Sequence, residues 1–329
     1  MQHIFKKNAL LLLILILNFL YSCTREMDAR EAEVYLKAFD NEIIRLADKL
    51  SHTQSYKALK KISEIDSAPV PILKHEAANS GLPDEFLFNN LRGIYTHDTI
   101  NNKFIKQSQS DSIIIYYKYN DKQDIDVSLI IADYREEITS SSFMFPTIIE
   151  AKMLINGNKR MEISHSGSVE YGMPVDMDFA ANFDEYKIGS IIKTKLSQKS
   201  AVVRKNTFIE KNSEPIFSWN LQSILSFDES VSFYIKTLSM QCKMYPIYIS
   251  ARINNDNISP NTNNYPEEFN KNSKITVYSS TDNRKIGEVR LKTKEGSDKL
   301  DYALYYNDGS FVYIDELLLS ADRILNIKI

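Results

Sequence analysis

The chain has 329 residues, of which 43% are hydrophobic and 25% charged, and its formal net charge is −3 at pH 7. This length is sufficient for two domains or for one large β domain with a substantial core. A mildly acidic chain has no general electrostatic attraction for nucleic acid, so the composition predicts that nucleic acid is not a partner.

The first residues have the layout of a secretory signal peptide. Lys6 and Lys7 precede an almost wholly apolar run from Ala9 to Leu20. As a helix this run would rise only about 18 Å, which is too short for a bilayer core of about 30 Å. We therefore predict that residues 1–22 are a signal peptide that is removed, rather than a membrane-spanning helix.

The end of this segment, Leu20-Tyr21-Ser22-Cys23, resembles the lipobox of bacterial lipoproteins. The resemblance implies cleavage after Ser22, a lipid such as palmitate on Cys23, and a membrane anchor in the cell envelope. We expect the outer membrane, on a face that the sequence does not define. The alternative is an ordinary cleaved signal peptide in which Cys23 is incidental. A lipid on Cys23 leaves Cys242 without a disulfide partner, and its strand-like surroundings favour a core thiol over a nucleophile.

Residues 23–66 are predicted to hold the anchor and a helical hairpin. The two helices are expected at Asp28 to Leu50 and Thr53 to Ile65, because apolar residues recur there at spacings of three and four. Asp28 fits the capping position of the first helix. Residues 67–83 contain several prolines and are predicted to be a linker.

The apolar period changes to two in residues 84–253, which are predicted to be an antiparallel β domain. The alternating positions include Val175, Met177, Phe179, Ile188, Ile192, Ala201, Val203, Thr207 and Ile209. Asn156-Gly157 favours a tight hairpin turn. Strands at roughly 10-residue spacing, without crossover helices, are typical of a meander. The predicted fold class is therefore α+β and β-dominated, with an N-terminal helical hairpin followed by a large curved antiparallel meander sheet.

The C-terminal part is predicted to contain more strands after an interruption. Residues 254–273 are rich in asparagine and predict a long loop or a linker. Residues 274–329 alternate again, with Asn307-Asp308-Gly309 as a turn. Asp315 to Ile327 places its apolar residues on one face and is predicted to be a closing helix.

No residue pattern in the chain predicts catalysis, a cofactor or a metal site. The nine glycines form no nucleotide-binding motif, and the histidines left in the mature chain are scattered. Asp176 and Asp178 are spaced to share one face of a strand and could hold a cation, but their apolar neighbours on the opposite face favour a solvated strand face instead. We therefore predict no catalytic, cofactor-binding or metal-ligating residue.

Aromatic residues are the one compositional feature that points to binding, since the chain has 19 tyrosines and one tryptophan. The candidate binding aromatics are Tyr116, Tyr117, Tyr119 and Trp219. Aromatic faces stack on sugars and recur at interfaces, but aromatic residues are also ordinary strand residues.

The order of features is similar to that of the many uncharacterised envelope lipoproteins of Bacteroidota-type bacteria: lipobox, two helices, then Arg92-Gly93-Ile94-Tyr95-Thr96 leading into Ile113-Ile114-Ile115-Tyr116-Tyr117. This resemblance implies an envelope location and a β-rich body, and it implies no activity.

Three functional hypotheses follow. The first is a non-catalytic binding or structural lipoprotein whose partner is an envelope protein, a glycan or a lipid. The second is a carrier of a lipid or other apolar ligand in a half-barrel pocket. In that case the face bearing Val175, Met177, Phe179, Ile188 and Ile192 would be partly hollow. The third is a hydrolase with a dispersed carboxylate site.

Overall fold

The structure is a computed structural model, and it describes residues in the ranges 26–70, 88–120, 124–139, 144–227, 233–258, 264–294 and 299–317. The predicted signal peptide, Cys23 and most of the predicted linker lie outside these ranges. So does the part of the predicted closing helix that follows Leu317.

Two N-terminal helices occur where the apolar spacing predicts them. They are α1 (Ala29–Ser51) and α2 (Gln54–Ser63). Asp28 caps α1, since its carboxylate accepts a hydrogen bond from the Glu31 backbone N–H at 2.9 Å. Such a cap satisfies one of the backbone donors that a helix leaves free in its first turn. Three shorter helices are α3 (Phe88–Leu91), α4 (Tyr265–Asn272) and α5 (Ile314–Leu317).

All described strands form one sheet of 16 strands. The strands are β1 (Gly93–Asp98), β2 (Lys103–Ser108), β3 (Ile113–Asn120), β4 (Asp124–Ile138), β5 (Met144–Ile155), β6 (Asn158–Glu170), β7 (Met173–Phe183), β8 (Tyr186–Leu196), β9 (Ser200–Lys211), β10 (Glu214–Phe227), β11 (Phe233–Met244), β12 (Ile247–Asn254), β13 (Ser273–Ser279), β14 (Lys285–Thr293), β15 (Leu300–Tyr305) and β16 (Phe311–Tyr313).

The sheet is a meander, which confirms the predicted fold class. From β3 to β16 each strand pairs with the next one antiparallel, and β1 joins β3 in parallel, with β2 outside it. The strands β2 and β16 are the edges of the described sheet. The predicted turn at Asn156-Gly157 joins β5 to β6, and both of its residues have positive φ, 48° and 78°. Asparagine and glycine tolerate this conformation better than other residues do.

One face of the sheet carries most of the buried apolar side chains, and we call it the core face. Its two ends are buried as separate cores. The N-terminal core joins α2 to the first strands and includes Ala58, Ile62, Ile113, Ile115, Tyr117, Leu129, Met153 and Met161. The C-terminal core joins the first half of α1 to the last strands and includes Met27, Ala32, Leu36, Ile247, Val277, Ile286 and Leu304. Each N-terminal helix therefore covers a different end of the same face.

Helices α1 and α2 lie along one rim of the sheet, which we call the helix rim. At its C-terminal end, Arg284 in the turn before β14 donates to the Glu31 carboxylate at 2.9 Å. At its N-terminal end, Asp184 in the β7–β8 turn accepts from the backbone N–H and the hydroxyl of Ser55, at 3.0 and 2.8 Å. A carboxylate at the start of α2 also suits the positive end of the helix dipole. These contacts fix both helices to the turns between strands.

The segment predicted as an asparagine-rich loop or linker contains an element that the sequence analysis missed. Helix α4 occupies its second half and buries Phe269. The Asn270 side chain donates to the Leu291 carbonyl and accepts from the Leu291 N–H, both at 2.8 Å. Because β12 and β13 pair directly, the sheet continues across this segment without a break.

Candidate binding face

The strand register places the inward residues of the central strands side by side on the core face. Ile192 of β8 lies opposite Met177 of β7 and Lys205 of β9. Lys205 in turn lies opposite Leu221 of β10. Residues that are direct cross-strand partners point to the same face. Because alternate residues of each strand share a face and the register aligns them, the core face continues across β8 to β11.

These central strands are less covered than the two ends of the sheet. The residues of β8 to β11 that make up this open stretch of the core face are Ile188, Ile192, Val203, Ile209, Trp219, Leu221, Leu225, Leu238, Met240 and Cys242, and all are half-buried. Among the described helices, α1 makes its main sheet contacts with β12 and β14, and α2 with β5 and β6. The open stretch therefore lies between two covered cores.

An apolar cleft of about 260 Å³ lies at the end of the open stretch that is remote from the helix rim. Its walls include Val175, Met177, Ile192, Val203, Leu196 and Leu225. Three of the five residues that the carrier hypothesis placed on a partly hollow face therefore line it: Val175, Met177 and Ile192. Small-molecule sites usually occupy about 300–1,000 Å³, so this cleft is slightly smaller than that range.

A lysine stands in the middle of the open stretch. The Lys205 ammonium lies over the Trp219 ring, 4.7 Å from its centroid, which is a cation–π geometry. Within the part of the chain that the structure describes, no carboxylate or hydrogen-bond acceptor lies at bonding distance from this ammonium. The indole N–H of Trp219 is shielded from solvent and also has no acceptor among the described residues.

Three hydroxyl groups on this stretch have partners within the protein. The hydroxyls of Ser190 and Thr207 lie 3.1 Å apart, and Ser223 donates to the Thr237 carbonyl at 3.1 Å. Cys242 lies directly opposite Trp219, and burial raises the pKa of its thiol, which opposes a nucleophilic thiolate. Lys205 is thus the charged group of this stretch that has no partner in the described chain.

The four candidate aromatics do not share a surface. Tyr117 and Tyr119 are buried in the N-terminal core, and the Tyr117 hydroxyl donates to the Ala58 carbonyl at 2.8 Å. Tyr116 is 47% exposed on the outer face of the sheet. Trp219 lies seven strands away on the core face. The structure therefore places only Trp219 beside an open apolar surface.

The side chains considered for chemistry have ordinary structural contacts. Asp176 pairs with Lys193 on the next strand, at 3.5 Å. His165 is buried, with its Nε2 atom 2.8 Å from the Pro146 carbonyl. Across the described ranges, no three histidine, cysteine, aspartate or glutamate side chains converge as metal ligands.

Comparisons with known proteins give little further information. No protein-family model matches the chain, and no curated protein matches it in sequence. A porin-like protein from Bacteroides vulgatus, known from its crystal structure, aligns with 67% of this chain and 88% of its own, at 8% sequence identity and a TM-score of 0.19. A TM-score this low carries no argument. No helix in the described ranges is long and apolar enough to cross a membrane.

Proposed function

We propose that this chain is a lipid-anchored lipoprotein of the bacterial cell envelope that binds an apolar ligand and catalyses no reaction. The observation that carries the proposal is the open stretch of the core face with its cleft. Apolar side chains at the inward positions of β8 to β11 are only half-buried, although the same face is buried at both ends of the sheet.

Covering this stretch would be favourable. Each methylene group that is removed from water contributes about 0.8 kcal/mol. A ligand chain that lies in the cleft against Val203, Ile192 and Leu225 gains this contribution along its length. An apolar pocket with few polar groups is also the usual form of a small-molecule site.

The N-terminal contacts define which part of the sheet a lipid on Cys23 would bring to the membrane. Only two residues lie between Cys23 and Glu26, so the two Cα atoms are at most about 11 Å apart when the segment is extended. The Glu26 carboxylate binds Lys285 at 3.0 Å, and the buried Met27 donates its backbone N–H to the Lys285 carbonyl at 3.0 Å. A lipid on Cys23 would therefore hold the helix rim close to the membrane.

Ligand binding is tested with residues 24–329, without the lipid, and the neutral fluorescent probe phenylnaphthylamine. Val203→Asp places a charge in the cleft, and Val202→Asp places the same charge on the outer face of the same strand, next to Lys195. We expect Val203→Asp to lower probe affinity by about tenfold or more, because a neutral probe that binds against the new carboxylate would remove water from it. Equal affinity of the two variants, or no probe binding to the unsubstituted chain, would refute the proposal.

The anchor is tested separately with full-length Cys23→Ala in cells. We expect the variant to leave the membrane fraction, while Cys242→Ala, which removes the other cysteine, stays with it. Membrane association of a normally cleaved Cys23→Ala protein would show that the anchor is not a lipid on this residue.

A further inference from the structure

We infer that the ligand of the open stretch is a single-chain amphiphile with an anionic headgroup, in the class of a fatty-acid carboxylate. Its carboxylate pairs with Lys205, and its alkyl chain lies in the cleft. This inference rests on the proposed function, because it names the ligand class of the same face.

The headgroup and chain positions are adjacent. Ile192 is both the cross-strand partner of Lys205 and a wall of the cleft. Val203, another wall, is two residues from Lys205 on the same face of β9, a step of about 6.6 Å. The ammonium leans over Trp219, the partner of Thr207, so a linear amphiphile bound there would extend along the core face past Ile192 to Val203 and the cleft.

The charge at Lys205 has no counterpart in the described chain. On the outer face of the neighbouring strand, Lys193 pairs with Asp176 at 3.5 Å. Lys205 instead faces apolar neighbours, with the Trp219 ring 4.7 Å away as its support. An aromatic face attracts a cation but leaves its net charge in place. The site is therefore complementary to an anion that brings its own apolar surface.

The size and charge of the site favour one chain and one negative charge. A cleft of about 260 Å³ is below the usual range for drug-sized ligands, so it suits a single alkyl chain rather than a two-chain lipid. One ammonium matches one carboxylate. The hydroxyls of Ser190 and Thr207 pair with each other, which uses one of their two O–H donors within the protein.

The test compares dodecanoate, dodecanol and dodecylamine by displacement of phenylnaphthylamine from residues 24–329. The two ionic amphiphiles are kept below their micellar concentrations and dodecanol below its solubility limit. The variant is Lys205→Met, and Lys205→Arg keeps the charge. The matched control is Lys195→Met, which removes the same charge from the exposed outer face of β8. Circular dichroism confirms that each variant is folded before binding is compared.

We expect dodecanoate to bind most tightly, and Lys205→Met to lower its affinity by about tenfold, as the loss of a charge-assisted hydrogen bond predicts. Dodecanol affinity should change by less than about twofold in Lys205→Met. Lys205→Arg and Lys195→Met should retain the preference for dodecanoate.

Two results would overturn the inference while leaving the proposed function in place. One is equal binding of the three headgroups to the unsubstituted chain. The other is an equal fall in the affinities for dodecanoate and dodecanol in Lys205→Met. Failure of the probe and of all three amphiphiles to bind would instead refute the proposed function.

Discussion

Replacing Tyr117 by phenylalanine tests whether α2 is held on the sheet by a buried hydrogen bond. The Tyr117 hydroxyl donates to the Ala58 carbonyl at 2.8 Å, across 59 residues of sequence. Tyr117 is 4% exposed and Ala58 is fully buried. The substitution removes the hydroxyl and leaves the ring that packs in the N-terminal core.

The expected loss of unfolding free energy depends on whether the Ala58 carbonyl keeps another hydrogen bond. Ala58 lies inside α2, so its carbonyl also accepts the helical hydrogen bond from the residue four positions later. The carbonyl is therefore not left wholly unsatisfied, and the loss should be about 1 kcal/mol, the net value of one buried hydrogen bond. With a urea dependence of about 3 kcal/mol/M, the unfolding midpoint should fall by about 0.3 M.

Tyr116→Phe is the matched control, because Tyr116 is the adjacent residue on the outer face and is 47% exposed. Urea unfolding at neutral pH should show a change within about 0.5 kcal/mol for this variant. Equal midpoints for the two variants would refute the interpretation that Tyr117 anchors α2, and would return it to the set of candidate binding aromatics.

The difference in unfolding free energy between the unsubstituted chain and Tyr117→Phe should depend on pH. Burial raises the pKa of Tyr117 well above its usual value. The stability that this neutral phenol contributes is thus complete below the unfolded pKa of about 10 and is lost as pH rises towards the folded pKa. Above about pH 10, the advantage of the unsubstituted chain over Tyr117→Phe should shrink by up to about 1.4 kcal/mol per pH unit. An advantage that is constant from pH 8 to pH 11 would contradict the burial of this phenol.

Two further predictions concern packing. Ile62→Ala should lower the free energy of unfolding by about 2–5 kcal/mol in urea titrations, because Ile62 is fully buried between α2 and the sheet, while Lys60→Ala on the exposed side should have little effect. Gly189→Ala should cost about 1–3 kcal/mol, because its new Cβ would lie 2.2 Å from the Phe208 ring. The cost should fall in a Phe208→Leu background, and a double-mutant cycle that gives additive losses would rule out this contact.

Local signals in the sequence predict the elements of this fold well. Asp28 caps α1 as its position before an apolar helix predicts, and Asn156-Gly157 forms the turn that its tolerance of positive φ predicts. Alternation identifies the inward side of the strands because the period of two is fixed by backbone geometry. These features depend on residues that are close together in the chain.

Lys205 shows why the candidate site could not be recognised from the same signals. It belongs to the alternating series of β9, between Val203 and Thr207, but a lysine there resembles an interruption of the apolar pattern. Its neighbours Ile192 and Trp219 are defined only by the strand register, which the turns on both sides of β9 set. Whether a helix covers the lysine depends on α1 and α2, more than 140 residues earlier. The one sequence feature that indicates the site is a charged residue, Lys205, at an inward position of an otherwise apolar strand face.

The positions of the anchor and the cleft have a consequence for how a ligand is reached. If Cys23 is lipidated, Glu26 and Met27 keep the helix rim near that membrane. Leu225 in the cleft is eleven residues along β10 from Glu214 at that rim, a separation of about 36 Å along the strand. When the strands run across the membrane normal no separation results, but when they stand upright the cleft opens at the end of the sheet remote from the anchoring membrane. In the upright arrangement a ligand enters from the aqueous side or from a facing partner rather than directly from the bilayer that holds the protein.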